Sequence, residues 1–361
     1  MKYTHIVLHE NPDLDAILSS WLLVRFGEDK YPGIANAGLL FCPAHSLPDG
    51  QTADELEQRG ILAVDTGYGR MDQHSNNPSL SVSEDTKYCS SMLVAQDLEI
   101  QADPALQKIL QFTQLHDLEG RNIESTNPID HLFSLITVIR GLNLKYPDSP
   151  EKMVPLIWET FDALYEVEQD WVKALRDFEN ATQVVLDSGV KIVAIESDSS
   201  AATKVARLHK ADIVIHKNSQ GHIGVTIRKN GRLKKNSNLV PCAQLIRAVE
   251  AIKCNQSYEV KSLENIGTVH GWYLHDTLNI LSRGSPKKSD VPPSKITLEE
   301  IMELIAFRLA GVALPPKQYC PQDRCTGEKC SLYRLALPQC FHLRKNLREK
   351  KITEIEKGEE G

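Results

Sequence analysis

The sequence lacks any apolar run near the roughly 20 residues that a membrane-spanning helix needs. It also lacks space for a secretory signal, because a strand-like apolar segment starts within the first few residues. Its content of 41% hydrophobic and 25% charged residues is ordinary for a soluble globular protein. We therefore expect a cytoplasmic protein that makes no membrane contact.

An overall positive charge is absent too, since the formal net charge is −7. This charge weighs against a general nucleic-acid binder. The charge of residues 201–236 differs from that of the whole chain, because this segment has nine Lys or Arg and the single acid Asp212. This basic segment is either a solvated face or a place where an anionic ligand is held.

Strand-like and helix-like segments alternate along the first part of the chain, which is typical of a parallel sheet covered by helices. A long amphipathic helix follows, and the alternation then restarts. We predict an α/β fold class with a parallel-sheet N-terminal domain, a helical connector, a smaller α/β substrate-binding domain, and a Cys-rich segment with a charged tail. These four parts are expected at residues 1–145, 146–188, 189–312 and 313–361.

One motif stands at the end of the first strand-like segment and reads His9-Glu-Asn-Pro-Asp13-Leu-Asp15. Imidazole and carboxylate groups are ligands for divalent cations. In parallel sheets, ligands bind at the carboxyl ends of the strands. Asp13 and Asp15 are two positions apart and can face different metals, so we expect half of a two-metal site here.

Three further groups follow in chain order. Asp65 comes after an apolar strand candidate, His74 lies a few residues later, and His116-Asp117 ends a predicted helix. Taken singly, Asp65 would be interpreted as a turn-forming aspartate and His74 as a surface histidine. The pair His116-Asp117 would be interpreted as the polar end of a helix. Their order and placement after the first motif favour one shared metal site.

Together these residues resemble the DHH phosphoesterase superfamily, which includes RecJ-type exonucleases, nanoRNases, family II pyrophosphatases and cyclic-dinucleotide phosphodiesterases. The short link between the second and third motifs is closer to the Myg-type 3′–5′ exonuclease branch. The resemblance covers about residues 3–120. The matching positions are His9 to Asp15 for the first motif, Asp65 for the second, Asp72-Gln73-His74 for Asp-His-His, and Asp117 for the fourth.

The resemblance implies a metal-dependent phosphodiesterase or exonuclease that activates water with two metals, Mn²⁺ or else Mg²⁺ or Co²⁺. The implied partner is a phosphoester substrate such as short RNA, DNA or a nucleotide, and a homo-oligomer is left open. Asp65 and His74 would be catalytic, and His74 would also contact the substrate phosphate. The implied metal ligands are His9, Asp13, Asp15, Asp65 and Asp117, with His116 as a substitute.

Gln73 departs from the family pattern, in which the first histidine of Asp-His-His is a metal ligand. A glutamine carbonyl is a weaker, neutral donor toward manganese or cobalt. The second metal is then bound more loosely, or His116 replaces the lost ligand, or catalysis has been lost. Two alternatives therefore stay open: a non-catalytic nucleotide- or RNA-binding protein, and a phosphatase for a small phosphate such as pyrophosphate.

Beyond residue 120, the resemblance implies a glycine- and histidine-containing loop that holds the far end of the substrate. The nearest candidate starts at Gly267, contains His270 and Trp272, and is followed by Arg283. A nucleobase would stack on Trp272 while Arg283 binds a phosphate. A buried tryptophan beside an ordinary loop explains the same residues.

Four of the eight cysteines lie close together near the C-terminus. In a chain with no export signal, such a cluster predicts a metal site more than disulfides. Zn²⁺ or an iron–sulfur cluster are the candidates, although the spacing is not the paired CxxC of zinc ribbons. Unligated thiols are the alternative. The clustered residues are Cys320, Cys325, Cys330 and Cys340, while Cys42, Cys89, Cys242 and Cys254 are interpreted as inert thiols.

Overall fold

The structure is a computed structural model whose chain divides into two compact units, residues 1–172 and 173–361. The α/β fold class predicted from the sequence is confirmed, while the four-part division of the chain stays a prediction. Among the described residues, no helix is long and apolar enough to cross a bilayer. The described residues are 1–74, 88–121, 127–228, 231–233, 238–256, 267–284, 290–310, 320, 325–335, 340, 342, 343, 345, 346 and 349.

A parallel sheet forms the centre of the first unit, with strand order β2-β1-β3. The central strand is buried on both faces, which explains why Ile6, Val7 and Leu8 form a continuous apolar run. Because the strands are parallel, the residues that follow β1 and β3 emerge at the same edge. The strands are β1 (His5–His9), β2 (Gly38–Cys42) and β3 (Ile61–Ala63).

Helices pack around this sheet, and α1 is buried from Leu14 to Leu23. Trp21 on α1 is 1% exposed, lies 5.5 Å from the ring of Phe161, and donates its indole N–H to Asp162 at 3.1 Å. This contact fixes α1 against α7. The helices are α1 (Leu14–Phe26), α2 (Ala53–Glu57), α3 (Ser90–Asp97), α4 (Gln107–Glu119), α5 (Pro128–Leu132), α6 (Leu135–Lys145) and α7 (Val154–Glu179), the last of which continues into the second unit.

The second unit contains a seven-stranded sheet of order β4-β5-β6-β7-β10-β9-β8. β5 and β6 are parallel, and the other strand pairs are antiparallel. The strands are β4 (Thr182–Val185), β5 (Lys191–Glu196), β6 (Ile213–Lys217), β7 (Ile223–Ile227), β8 (Gly267–Val269), β9 (Trp272–Leu274) and β10 (Ile280–Arg283), and the helices are α8 (Ala202–Leu208), α9 (Val240–Lys253), α10 (Leu298–Ala310) and α11 (Ser331–Arg334).

The stretch from Gly267 to Trp272, which the resemblance presents as a substrate loop, forms a β-hairpin instead. Its strands β8 and β9 pair with Val269 opposite Trp272. The two connecting residues both have positive φ, 49° at His270 and 77° at Gly271. That is the backbone of a two-residue type I′ hairpin turn, so these two residues connect adjacent strands of the sheet.

Replacing Trp21 with alanine should lower the free energy of unfolding by about 3–5 kcal/mol, because the change leaves a large cavity between α1 and α7. Val167→Ala is the matched control, since Val167 lies on α7 with 62% of its surface exposed. The control should change stability by less than about 0.5 kcal/mol. Chemical denaturation followed by circular dichroism tests both, and equal losses would contradict the role given to Trp21.

Candidate metal centre

The ends of β1 and β3 bring an imidazole and two carboxylates together. His9 is the last residue of β1, and its Nε2 lies 3.4 Å from Oδ2 of Asp65. Asp65 follows β3 in a left-handed conformation, with φ of 54°. The ligand atoms of His9, Asp13 and Asp65 all lie within 4.8 Å of one another. We call these three residues the first metal position.

A second group lies where α1 meets α3. Asp15 is 2% exposed, and its carboxylate accepts the backbone N–H groups of Ser90 at 2.7 Å and Ser91 at 3.0 Å. Ligand atoms of Asp15, Cys89 and Asp117 lie within 4.8 Å of one another. We call these three residues the second metal position.

Cys89, which the sequence analysis interprets as an inert thiol, belongs to this second group of possible ligands. It is fully buried and immediately precedes α3. Its contact with Asp15 depends on the path of the chain that brings α3 against α1. No local sequence pattern predicts that path. The small polar residues Ser90 and Ser91 are the one local sequence signal that a helix starts here with its backbone N–H groups open to a ligand.

Gln73 lies between the two positions. Its Nε2 donates to Oδ1 of Asp65 at 3.1 Å and to Oδ2 of Asp117 at 3.4 Å. Its Oε1 is buried without a hydrogen-bond partner among the described residues. A buried acceptor without a partner is costly. Rotation of the amide would direct this oxygen toward the carboxylates, where a cation would satisfy it.

His74 stands at the rim of the site, with 46% of its side chain exposed. Its Nδ1 lies 2.8 Å from Asp72 and 3.9 Å from Asp65. Burial lowers the pKa of His74, but the hydrogen bond and the charges of the nearby aspartates outweigh it and raise the pKa. The imidazole is therefore oriented by Asp72 and favoured in its charged form.

The negative charge of the site is not fully compensated by the protein. Burial and the charge of Asp65 raise the pKa of Asp15 to about 7. Burial and the charges of Asp15 and Asp13 raise the pKa of Asp117 to about 6. Burial also raises the pKa of Asp65, against the hydrogen bond from His9. Buried carboxylates of this kind either bind protons or bind a cation.

His116 does not join either metal position. Its Nδ1 lies 2.8 Å from the carbonyl oxygen of Arg121. Its side chain contributes instead to a cavity of about 440 Å³ that opens beside Asp13. The other lining residues are Asn11, Leu14, Ile136, Ile139, Arg140, Asn143, Leu144 and Pro147.

The residues expected to bind substrate in the second unit are engaged within that unit. Trp272 is 0% exposed, and its indole N–H donates to Glu250 at 3.3 Å. Arg283 is 5% exposed and donates to the carbonyl oxygens of His270 and Pro292. Within the described part of this unit, Trp272 has no ring face open for base stacking. The sequence signal for this burial is the alternation of apolar and polar residues on either side of His270-Gly271, which predicts a hairpin.

The clustered cysteines lie in the second unit. Cys340 is 2% exposed, Cys320 and Cys330 are half-buried against the same core, and Cys325 is exposed. Among the described residues, no three of these sulfur atoms lie within 4.8 Å of one another.

In the presence of a chelator, the two raised aspartate pKa values should make the protein less stable as pH rises from about 4 to 7. The folded state binds more protons than the unfolded chain in this window, whose lower limit is the ordinary aspartate pKa of about 4. This stabilisation is fully present below that limit and is lost as pH rises through the folded-state values.

Asp15→Asn should therefore flatten the pH dependence of the unfolding free energy relative to wild type. Asp29→Asn, at an exposed turn position, should leave it unchanged. Urea denaturation across this pH range measures the difference. If the unfolding free energy of Asp15→Asn changes with pH as steeply as that of wild type, the pKa of Asp15 is not raised in the folded protein.

Comparisons with known proteins add little to this geometry. No protein-family model and no curated protein matches the chain. An uncharacterized protein from Helicobacter pylori G27 aligns over 86% of this chain and all of its own, with 12% identity and a TM-score of 0.24. The DHH domain of a member of a ribosomal protein family aligns over 78% of this chain and 82% of that chain, also with 12% identity and a TM-score of 0.24. Scores of this size do not assign a family, so the functional conclusion rests on the site.

Proposed function

We propose that this protein is a metal-dependent phosphoesterase that cleaves phosphodiester bonds of short oligonucleotides or nucleotide-like substrates. The observation that carries the proposal is a cluster of possible ligand atoms that lie within 4.8 Å of one another in three groups, namely His9, Asp13 and Asp65, then Asp15, Cys89 and Asp117, and then Asp65, Asp72 and His74. The first two groups are the two metal positions. They are linked through Gln73, which bonds to Asp65 of the first and Asp117 of the second. The arrangement agrees with the sequence resemblance to DHH phosphoesterases.

The residues present fit two divalent cations. His9, Asp13 and Asp65 offer one imidazole and two carboxylates, which suit Mn²⁺, Mg²⁺ or Co²⁺. Asp15 and Asp117 offer two further carboxylates, and Cys89 adds a thiol. When bound, two such cations lower the pKa of a water molecule and neutralise charge on phosphoryl oxygens.

His74 is the residue that we assign to the substrate phosphate. Its exposed position at the rim, beside Asp65, leaves the imidazole open to a bound ester. Asp72 holds Nδ1, so Nε2 is the nitrogen directed away from this bond. A charged His74 donates a hydrogen bond to a phosphoryl oxygen and stabilises the negative charge that develops there.

The cavity beside Asp13 favours an organic ester over pyrophosphate. Its apolar wall includes Ile136, Ile139 and Leu144, and its volume is about 440 Å³. An inorganic phosphate gains nothing from such a wall, whereas a nucleobase or sugar does. Arg140 at the same cavity supplies a guanidinium that suits a second phosphate.

Asp65→Asn should reduce phosphodiester cleavage at least about 100-fold, because the substitution keeps the shape of the side chain but removes a ligand charge from the first metal position. The assay is Mn²⁺-dependent cleavage of a fluorescent dinucleotide or a short RNA. Asp49→Asn is the matched control, since Asp49 is an exposed aspartate with nearly the same φ, 55°. The control should keep wild-type activity.

The same experiment separates the proposal from a non-catalytic binding protein. If wild type cleaves no member of a phosphoester panel faster than Asp65→Asn does, the phosphoesterase proposal fails. Retained nucleotide binding in both proteins would then support the non-catalytic alternative that Gln73 suggests.

Gln73→His should strengthen binding of the more weakly held of the two cations, because imidazole is a better ligand than an amide oxygen for manganese or cobalt. Isothermal titration with Mn²⁺ should show the weaker affinity rising several-fold. Gln58→His, at an exposed position on the end of α2, should leave both affinities unchanged. Equal affinities in wild type and Gln73→His would mean that residue 73 does not face a metal.

A further inference from the structure

Two loops, one after β2 and one after β3, place a pair of stacked rings beside His74. The ring centroids of His45 and Tyr68 lie 5.5 Å apart, and the ring planes are 8° from parallel. The ring of His45 also meets that of His74 edge-on, with centroids 5.2 Å apart. Stacked and edge-on contacts at these distances are the arrangements that aromatic rings prefer. We call His45 and Tyr68 the ring platform, which adjoins the residue assigned to the substrate phosphate.

Both residues of the ring platform have a left-handed backbone, with φ of 62° at His45 and 56° at Tyr68. Positive φ is uncommon for residues with large side chains, and such conformations gather at functional sites. Both residues are also exposed to solvent, Tyr68 to 36%. Exposed rings bury little apolar surface in return for a costly backbone. A bound ligand therefore explains their position better than folding does.

Close contacts join the two loops that carry the ring platform. Oγ1 of Thr66 donates to the carbonyl oxygen of Ser46 at 3.4 Å. A methyl group built on Gly67 would lie 2.5 Å from the side chain of Leu47, and the φ of Gly67 is 77°. Glycine is the residue that suits both the close approach and the positive φ. The loop after β2 and the loop after β3 therefore form one surface.

One buried carboxylate orients both the ring platform and His74. Asp72 is 7% exposed, and its Oδ2 accepts the backbone N–H of Tyr68 at 2.7 Å. Its Oδ1 accepts the backbone N–H of His74 at 2.9 Å and lies 2.8 Å from Nδ1 of the same residue. The ring platform is thus held in place relative to the His74 imidazole before any ligand binds, which lowers the entropic cost of binding.

We propose that the ring platform binds a nucleobase of the substrate by stacking. Every nucleobase has a flat π-face, so this contact selects for the presence of a base and not for its identity. The base must be unpaired to reach the rings, which favours a single strand. This inference rests on the proposed function, because it takes the substrate phosphate to lie at His74.

The ring platform also narrows the class of substrate. A phosphodiester carries an organic group on each side of phosphorus. The cavity beside Asp13 suits one of these groups, and the ring platform suits the other. The substrate is then a dinucleotide or a longer single strand, and not a diester of simple alcohols.

The test compares binding of a dinucleotide with binding of the same dinucleotide without its two bases. Isothermal titration of the full chain with Ca²⁺ in place of Mn²⁺ measures affinity apart from cleavage. Wild type should bind the dinucleotide about 5- to 150-fold more tightly than the abasic compound, which is the range that one stacked base contributes. Tyr68→Asn and His45→Asn should each lose most of this preference and keep the wild-type affinity for the abasic compound.

The substitutions are chosen to remove a ring without straining the backbone, because asparagine adopts positive φ more readily than most residues. Tyr68→Phe keeps the ring and should keep the preference for the dinucleotide. Phe133→Asn is the matched control, since it removes a ring that is 79% exposed elsewhere in the same unit. This control should leave both affinities unchanged.

The outcomes separate the ring platform from the proposed function. Equal binding of both compounds by wild type, or an unchanged preference in Tyr68→Asn, would overturn the ring platform even in a protein that cleaves phosphodiesters. Equal loss of both affinities in Tyr68→Asn would also overturn it, because the ring would then only shape the loop. A base preference that depends on Tyr68, in a protein without cleavage, would support the ring platform while the phosphoesterase proposal fails.

Discussion

Burial of several carboxylates in one cluster is the constraint on which the first unit depends. Asp15 and Asp65 are 2% and 7% exposed, and Asp117 lies beside them. Charges of one sign that are withdrawn from water repel one another and lose their hydration. The protein compensates with two backbone N–H groups at Asp15, the imidazole of His9 at Asp65, and the amide of Gln73. Burial still raises the pKa of Asp15, Asp65 and Asp117.

Helix N-termini supply the rigidity that this arrangement needs. Asp13 caps α1 by accepting the N–H groups of Asp15 and Ala16, so the first motif is fixed by the helix that it begins. Asp15 in turn holds the start of α3. The hydroxyl of Ser90 then donates to the carbonyl oxygen of Met71 at 2.6 Å, which holds the segment that leads to Gln73. Two helix starts and one serine thus connect three separate parts of the chain.

The local part of this architecture was predictable from the sequence. The apolar residues before His9 and after Asp15 indicate a strand and a helix on either side of the first motif, where the structure has β1 and α1. Because the carboxyl ends of parallel strands lie at the same end of a sheet, the sequence also predicts His9 near Asp65, and the two side chains lie 3.4 Å apart. These features depend on short-range patterns.

Longer-range features could not be predicted in the same way. The approach of Cys89 to Asp15 depends on the path of the chain between Asp15 and Ser90, which are 75 positions apart. The amide orientation of Gln73 likewise depends on two carboxylates from different elements. For Trp272 and Arg283, the residue types fit more than one role. Their residue types suit nucleotide binding, but the same types also suit the interior of a hairpin sheet, where the structure places them.

The left-handed backbone at Asp65 has an evolutionary consequence. Among residues with a side chain, aspartate and asparagine belong to the few that adopt positive φ at low cost. Mutations to most other residues therefore carry a folding penalty at this position, whereas asparagine preserves the fold. A single base change converts an aspartate codon into an asparagine codon. The easiest inherited change at this position would therefore remove the carboxylate charge while leaving the protein folded.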